Sequence, residues 1–375
     1  MATKSQLSPP FRAEVVGSLL RPRELKDIAV AVQKGTASPS QYEEVLEREI
    51  ARVIAKQEEI GLKAVTDGEF ARTSWFGFFF ERMEGFRLAP SHFKFKDSHG
   101  DTFEWPTSVA EKKIKKLSPI TLAEYERAAR FAQRVLVKET MPTPSAFHFF
   151  RQSGSVDPNA YPDMNVYFND LIEIYRSEVE ELGRAGCRYL QFDEVPIAMM
   201  CDHDVRRQAA SEGGEPTRLI DTYISLMQRI LAEHPAEMKI AMHLCRGNFR
   251  GRWMAAGGYE PVAEKLFNLM PVDAFFLEYD SERAGGFEPL RFVPKDKRVV
   301  VGLVSSKAAA LENQSNLLRR IEAASKFVPL DQLALSTQCG FASVAGGNLL
   351  TEDEQWAKLD LVVSTAHKVW GTARV

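Results

Sequence analysis

The stretch AMHLCRGN holds a histidine and a cysteine two residues apart, His243 and Cys245. Along an extended strand, residues i and i+2 point to the same side, so both side chains can address one point in space. Two further residues of ligand type close later apolar runs: Glu278 in FFLEYDSE and Cys339 in LSTQCGF. An imidazole, two thiolates and a carboxylate make a tetrahedral shell suited to Zn2+. Taken singly each residue is ordinary, since a lone cysteine usually packs as a small hydrophobe; their shared position at the ends of apolar runs gives the set its weight. A second ligand-rich run, Cys201, Asp202, His203 and Asp204, lies beyond its strand in a charged stretch and reads as a solvated connector. Cys187 opens a strand at its N-terminal end and reads as packing.

What must position these residues is an alternation of short apolar runs with amphipathic helices. The candidate strands are 11–18, 64–69, 138–143, 187–194, 239–245, 274–279, 299–305 and 333–339. Most are unbroken apolar stretches, such as RVVVGLVS, as expected of strands buried on both faces of a parallel sheet. Between them, Phe168, Leu171, Ile172, Tyr175, Val179 and Leu182 trace one helical stripe, and Leu219, Ile220, Tyr223, Met227, Ile230 and Leu231 trace another. A third helix, 41–61, ends at Gly61, as a helix-terminating glycine should. This is the pattern of an α/β chain folded as a single (β/α)8 TIM barrel. A doubly wound open sheet is the alternative, and the lack of a glycine-rich phosphate loop after an early strand counts against it.

In such a barrel the chemistry sits at the C-terminal ends of the strands. Those ends carry Gly17 and Ser18, Asp67 and Glu69, Thr143, Asp193 and Glu194, His243 and Cys245, Glu278, Ser305 and Ser306, and Cys339. An insertion at roughly 70–134, between strands two and three, opens with TSWFGFFFERMEGF and continues as a charged, hairpin-like segment to about Pro119. Its aromatics Trp75, Phe76, Phe78 and Phe79 read equally as a stacking surface, a lid or plain loop packing.

The bulk properties exclude several classes. Forty-eight basic against 51 acidic residues give a net charge of −3, with no basic excess to hold nucleic acid. No apolar run approaches the roughly 18–20 residues needed to span a bilayer. The opening MATKSQLSPPFRAEVVGS lacks the apolar core of a secretory signal. Four cysteines in 375 residues are too few for a disulfide scaffold. A cytoplasmic enzyme acting on a small molecule is the expected class, without nucleic-acid or membrane partners.

The motifs VGSLLRP, VTDGEF, YLQFDEVPIA, HLCRGN, FLEYDSERAGGFEPL and STQCGF together resemble the catalytic, C-terminal barrel of cobalamin-independent methionine synthases over nearly all of residues 1–375. The resemblance implies a zinc-dependent methyltransferase of methionine biosynthesis. The zinc ligands would be His243, Cys245, Glu278 and Cys339. Homocysteine would be held by Gly17, Ser18, Glu69 and Asp193, with Asp193 and Glu194 as the catalytic carboxyls, and the methyl donor would be 5-methyltetrahydrofolate or its polyglutamate form. A thiol of pKa about 8.5 is mostly protonated at neutral pH, and a bound zinc ion removes that proton. The chain departs from the family in two ways. It carries one barrel where the full-length enzymes carry two, and it has no histidine after the seventh strand, where GLVSSK stands. Other readings of the same site are a transferase of the epoxyalkane:coenzyme M type and a zinc-stapled thiol-binding or sensor barrel. A uroporphyrinogen-decarboxylase-like barrel would leave the thiols idle.

Overall fold

Val299, Val300 and Val301 lie in the strand Arg298–Val304, whose core residues are buried on both faces. Side chains of one parity fill the barrel interior and those of the other pack under helices. The computed structural model describes residues 8–371; residues 1–7, the start of the segment read for a signal sequence, lie outside them. It forms a (β/α)8 barrel, as the alternation predicts. The strands are β1 Ala13–Glu14, β2 Ala64–Val65, β3 Glu139–Pro142, β4 Tyr189–Glu194, β5 Lys239–Leu244, β6 Ala274–Glu278, β7 Arg298–Val304 and β8 Leu333–Thr337.

Seven of these make one parallel sheet in the order β1-β8-β7-β6-β5-β4-β3. β2 pairs in parallel with Leu136–Val137, the lead-in to β3. The remaining seam, between β1 and β2, closes without a regular ladder: the Thr66 hydroxyl donates to the Gly17 carbonyl at 2.6 Å, and the Leu19 N–H donates to the Gly68 carbonyl at 3.0 Å. The paired parts of β1 and β2 are therefore two residues each, shorter than the expected 11–18 and 64–69.

The barrel interior is filled by Val16, Ala64, Tyr189, Ala241, Ala274, Phe276, Val300 and Ala334. Within it runs a polar line. The Lys138 ammonium donates to Gln191 Oε1 at 2.9 Å and meets Glu14 Oε2 at 3.4 Å, over the Phe276 ring at 4.3 Å. Gln191 Nε2 in turn donates to Asp193 Oδ1 at 2.8 Å, at the mouth. Outside, the predicted stripes are buried on helices Met164–Arg184 and Pro216–Leu231. Helix Pro39–Ile60 starts at a capping box between Ser38 and Gln41 and ends at Gly61, whose φ of 99° is glycine's to adopt.

The segment expected as an insertion divides in two. Strands Met83–Pro90 and Pro106–Lys116 form a hairpin whose tip, Phe95–Lys96 against Thr102–Phe103, reaches over the barrel mouth. There Lys96 and Trp253 exchange backbone hydrogen bonds of 2.7 and 3.1 Å. The rest, Leu122–Phe131, is a regular helix packed on Pro39–Ile60, so the irregular part ends earlier than residue 134.

Gly302 shows how tightly the strands approach. A Cβ there would meet the Leu277 carbonyl of β6 at 3.0 Å and the Thr337 carbonyl of β8 at 2.9 Å, both of them backbone. Gly302→Ala is expected to cost about 1–3 kcal/mol by overpacking, read as an earlier midpoint in urea unfolding with an unchanged slope.

Candidate metal centre

β5 lies between β4 and β6, with His243 opposite Asp193 on one side and Phe276 on the other. This register sends His243 to the mouth. Cys245 follows just after the strand, its N–H bonded to the Glu194 carbonyl at 3.1 Å. Cys339 arrives from the turn after β8, where the Thr337 hydroxyl donates to the Cys339 carbonyl at 2.8 Å. The ligand atoms of His243, Cys245 and Cys339 all lie within 4.8 Å of one another, and all three residues are buried. The two sulfurs are 3.5 Å apart.

The donor set fits a soft divalent cation. Both ring nitrogens of His243 are buried without a hydrogen-bond partner, which costs free energy that a cation taking the lone pair of one of them would offset. The hydrogen bond with Cys339, together with burial, pushes the Cys245 thiol well above its ordinary pKa, so a thiolate pair here needs a compensating positive charge. All four cysteines are free thiols, and Cys187 is buried as packing.

Glu278, expected as a fourth ligand, is not in this group. Its Oε2 accepts the Arg246 backbone N–H at 2.7 Å and its Oε1 accepts the Lys307 ammonium at 3.0 Å. Burial alone would raise its pKa; Lys307, Arg246 and Arg283 outweigh that and bring it down to about 2.

Ser18, Glu69, Asp193, His243, Cys245 and Cys339 line one cavity, whose apolar wall includes Trp75, Phe95 and Met254. Glu69 sits at a left-handed φ of 59°, uncommon for a residue with a side chain. It is held there by its own N–H on Asp67 Oδ1 (2.7 Å), by Arg21 on its carbonyl (2.7 Å), and by the Thr140 hydroxyl on its Oε1 (2.9 Å). Asp193 is pushed up to about 6 by burial, partly offset by His243. Gly17 contributes closeness: a Cβ there would stand 2.6 Å from Glu69 Oε1.

Glu194 faces the other way, as alternation along β4 requires. Its carboxylate accepts from the Ser145 hydroxyl and the Ile197 N–H, both at 2.7 Å. Ser305 and Ser306 are also turned aside, onto Asp280 and the Gly340 carbonyl respectively. The Cys201–Asp204 run is solvated only in part, as its charge suggested for His203 and Asp204, which are exposed. Cys201 is buried, and Asp202 caps helix His203–Ser211 while bonding Ala256 N–H at 2.8 Å, because an aspartate before a helix satisfies its free N–H groups. Of the aromatic cluster, Trp75 lines the cavity; Phe78 covers Arg72 at 4.0 Å, Phe79 stacks on Tyr175 at 4.8 Å, and Phe76 packs edge-on to Trp105. Phe95, Asn248, Met254 and Ser343 at the cavity were missed, since none carries a ligand or acid–base signature and Phe95 reaches it only through the hairpin.

Two outcomes follow from this geometry. Gly17→Ala should displace the Glu69 carboxylate and weaken binding of an amino-acid ligand about tenfold, the loss of one charge-assisted hydrogen bond, measured by calorimetry. Glu194 has its pKa raised to about 7 by burial, so the stability it contributes is complete below the ordinary carboxylate pKa and fades as pH rises through 7. The melting temperature should therefore fall between about pH 5 and 7, and Glu194→Gln should flatten that fall; an equal fall in both proteins would refute the assignment.

The cobalamin-independent synthase catalytic-domain family model matches residues 11–368. The uncharacterized protein YxjH of Bacillus subtilis is 39% identical over 374 residues, covering 98% of this chain and 97% of its own. A putative vitamin-B12 independent methionine synthase from Listeria monocytogenes superposes with a TM-score of 0.77 at 31% identity, over 98% of this chain and all of its own. A B12-independent methionine synthase from Shewanella, solved with selenomethionine, gives 0.69 at 17% identity, over 89% and 90% of the two chains, a likeness of fold. With the thiol pair at the mouth and a match from end to end of the barrel, this chain belongs to the cobalamin-independent methionine synthase catalytic-domain family.

Proposed function

We propose that this protein is a zinc-dependent S-methyltransferase that methylates homocysteine to methionine, with a methyltetrahydrofolate-type donor. The observation that carries this is the placement of His243, Cys245 and Cys339 in the same cavity as the carboxylates Glu69 and Asp193. His243, Cys245 and Cys339 would hold the metal. Bound there, zinc supplies a thiolate at neutral pH that stays nucleophilic, because two sulfur ligands leave the ion a poor Lewis acid.

The remaining work belongs to the chain. Glu69 and Asp193 suit the ammonium group of an amino acid through charge-assisted hydrogen bonds. Trp75, Phe95 and Met254 give the cavity an apolar wall, a low-dielectric setting in which each of those contacts is stronger. A departing amine must collect a proton; with no histidine after β7, Asp193 is, of the two carboxyls that line the cavity, the one whose pKa burial raises to about 6, which suits it to hold one, and Glu194 serves structure by anchoring Ser145 and the Ile197 N–H. A sulfonate thiol would need cations where Glu69 and Asp193 stand, which speaks against a coenzyme M-type acceptor.

Zinc X-ray absorption with and without homocysteine tests the proposal. Two sulfurs around zinc should become three on addition of homocysteine, and Cys245→Ser or Cys339→Ser should abolish zinc retention and turnover together. An unchanged two-sulfur shell would make the site structural and closed, and turnover by a metal-free variant would sink the reading.

A further inference from the structure

Among the described residues that line the cavity, three side-chain polar atoms are buried without a hydrogen-bond partner. Two are the ring nitrogens of His243, which belong to the proposed metal centre. The third is Oδ1 of Asn248, a residue only 5% exposed. Its orientation is fixed. Nδ2 donates to the Gly340 carbonyl at 3.0 Å, and a carbonyl can only accept, so the amide cannot be reversed and its oxygen is left as an open acceptor. The backbone is held as well, because the Ser343 hydroxyl donates to the Asn248 carbonyl.

The neighbours of Asn248 join it to the apolar wall. The Phe249 ring packs on Phe95 at 5.3 Å, and a Cβ on Gly247 would stand 3.0 Å from the Met254 backbone nitrogen. Gly340, the partner of the amide, directly follows Cys339. One neutral acceptor is thus tied on one side to the turn of a thiol and on the other to the wall of Trp75, Phe95 and Met254.

We propose that Asn248 recognises the methyl donor, its Oδ1 accepting an N–H of the donor's nitrogen heterocycle while the rings of Trp75 and Phe95 cover the heterocycle's face. The inference rests on the proposed function and deepens it by naming a residue that reads the donor. Charge divides the acceptors of the cavity. Glu69 and Asp193 are carboxyls, suited to the ammonium group of the amino acid. An amide oxygen carries no net charge and matches a neutral N–H. An apolar aromatic wall with one fixed polar group suits a ring with a polar edge. Position agrees, since the methyl group must face the sulfur it is transferred to, and the ring that carries it then lies beside the thiol pair. A buried acceptor left unmatched is costly, so a ring without a suitable N–H is bound poorly.

The test is calorimetry with tetrahydrofolate, the demethylated donor, on the zinc-loaded protein. Asn248→Ala should weaken tetrahydrofolate binding about tenfold, the loss of one buried neutral hydrogen bond, and leave zinc content and homocysteine binding unchanged. Equal tetrahydrofolate binding by parent and variant overturns the inference and leaves the proposed function standing. A loss shared with homocysteine, or confined to it, does the same. A parent protein that binds no tetrahydrofolate overturns the donor assignment itself, and the inference with it. If Asn248→Ala does not fold or loses zinc, a crystal structure of the parent with zinc and tetrahydrofolate decides. A heterocycle nitrogen at the roughly 2.7–3.2 Å of an N–H···O bond from Oδ1 supports the inference; Oδ1 facing the amino acid or water overturns it.

Discussion

A guanidinium shut away from water needs anions, and Arg72 is surrounded by them. It donates to Glu124 and Glu139 at 2.7 Å each, to the Thr140 hydroxyl at 2.7 Å, and stands 3.6 Å from Glu69. The face of Phe78 closes it at 4.0 Å. Removing one partner from a buried ionic group of this kind leaves an uncompensated charge, so the arrangement is all or nothing. Its partners come from β3, from helix Leu122–Phe131 and from the loop after β2, so one side chain joins the seam of the barrel to its cavity. That seam is the place where regular pairing fails, between β1 and β2. The barrel gives up ladder hydrogen bonds there and holds Glu69 in a strained left-handed turn that Arg21 and Arg72 stabilise.

The opposite wall of the cavity is supported from below. Asp193 takes a hydrogen bond from Gln191, whose amide orientation is set by the Lys138 ammonium on its oxygen. An ammonium in the middle of a barrel is costly, and it is tolerated because Glu14, the Val15 carbonyl and the Phe276 face all meet it. The result is a carboxylate with one oxygen, Oδ1, fixed as the acceptor of the Gln191 amide and the other turned to the cavity. Packing in the barrel interior and orientation at the mouth are here one hydrogen-bond chain.

The alternation of runs and stripes made the barrel legible, since burial on both faces of a parallel strand writes itself as unbroken Val and Leu. His243, Cys245 and Cys339 were legible because period-2 geometry and strand-end placement are local facts. Three things were not. The paired lengths of β1 and β2 depend on a seam closed by Thr66 and Leu19 rather than by a ladder, and no local signal marks that. The cavity wall at Phe95 depends on where a hairpin tip lands, a contact fixed by Lys96 on Trp253, far away in sequence. The hydrogen bonds of Glu278 to Lys307, 29 residues away, and to the Arg246 N–H were the third, since a carboxylate at a strand end carries no local sign of its partners.

The acidic and basic groups near the thiol pair are kept apart. Glu69 and Asp193 present carboxyls to the cavity, while Lys307, Arg246 and Arg283 gather around Glu278 outside its lining. Burial makes each of these charges costly to strand, since screening by water is weak there. The polar chains through Arg72 and Lys138 therefore fix the cavity carboxyls as firmly as the packing around them does: Thr140 and Arg72 meet Glu69, and Gln191, itself set by Lys138, meets Asp193.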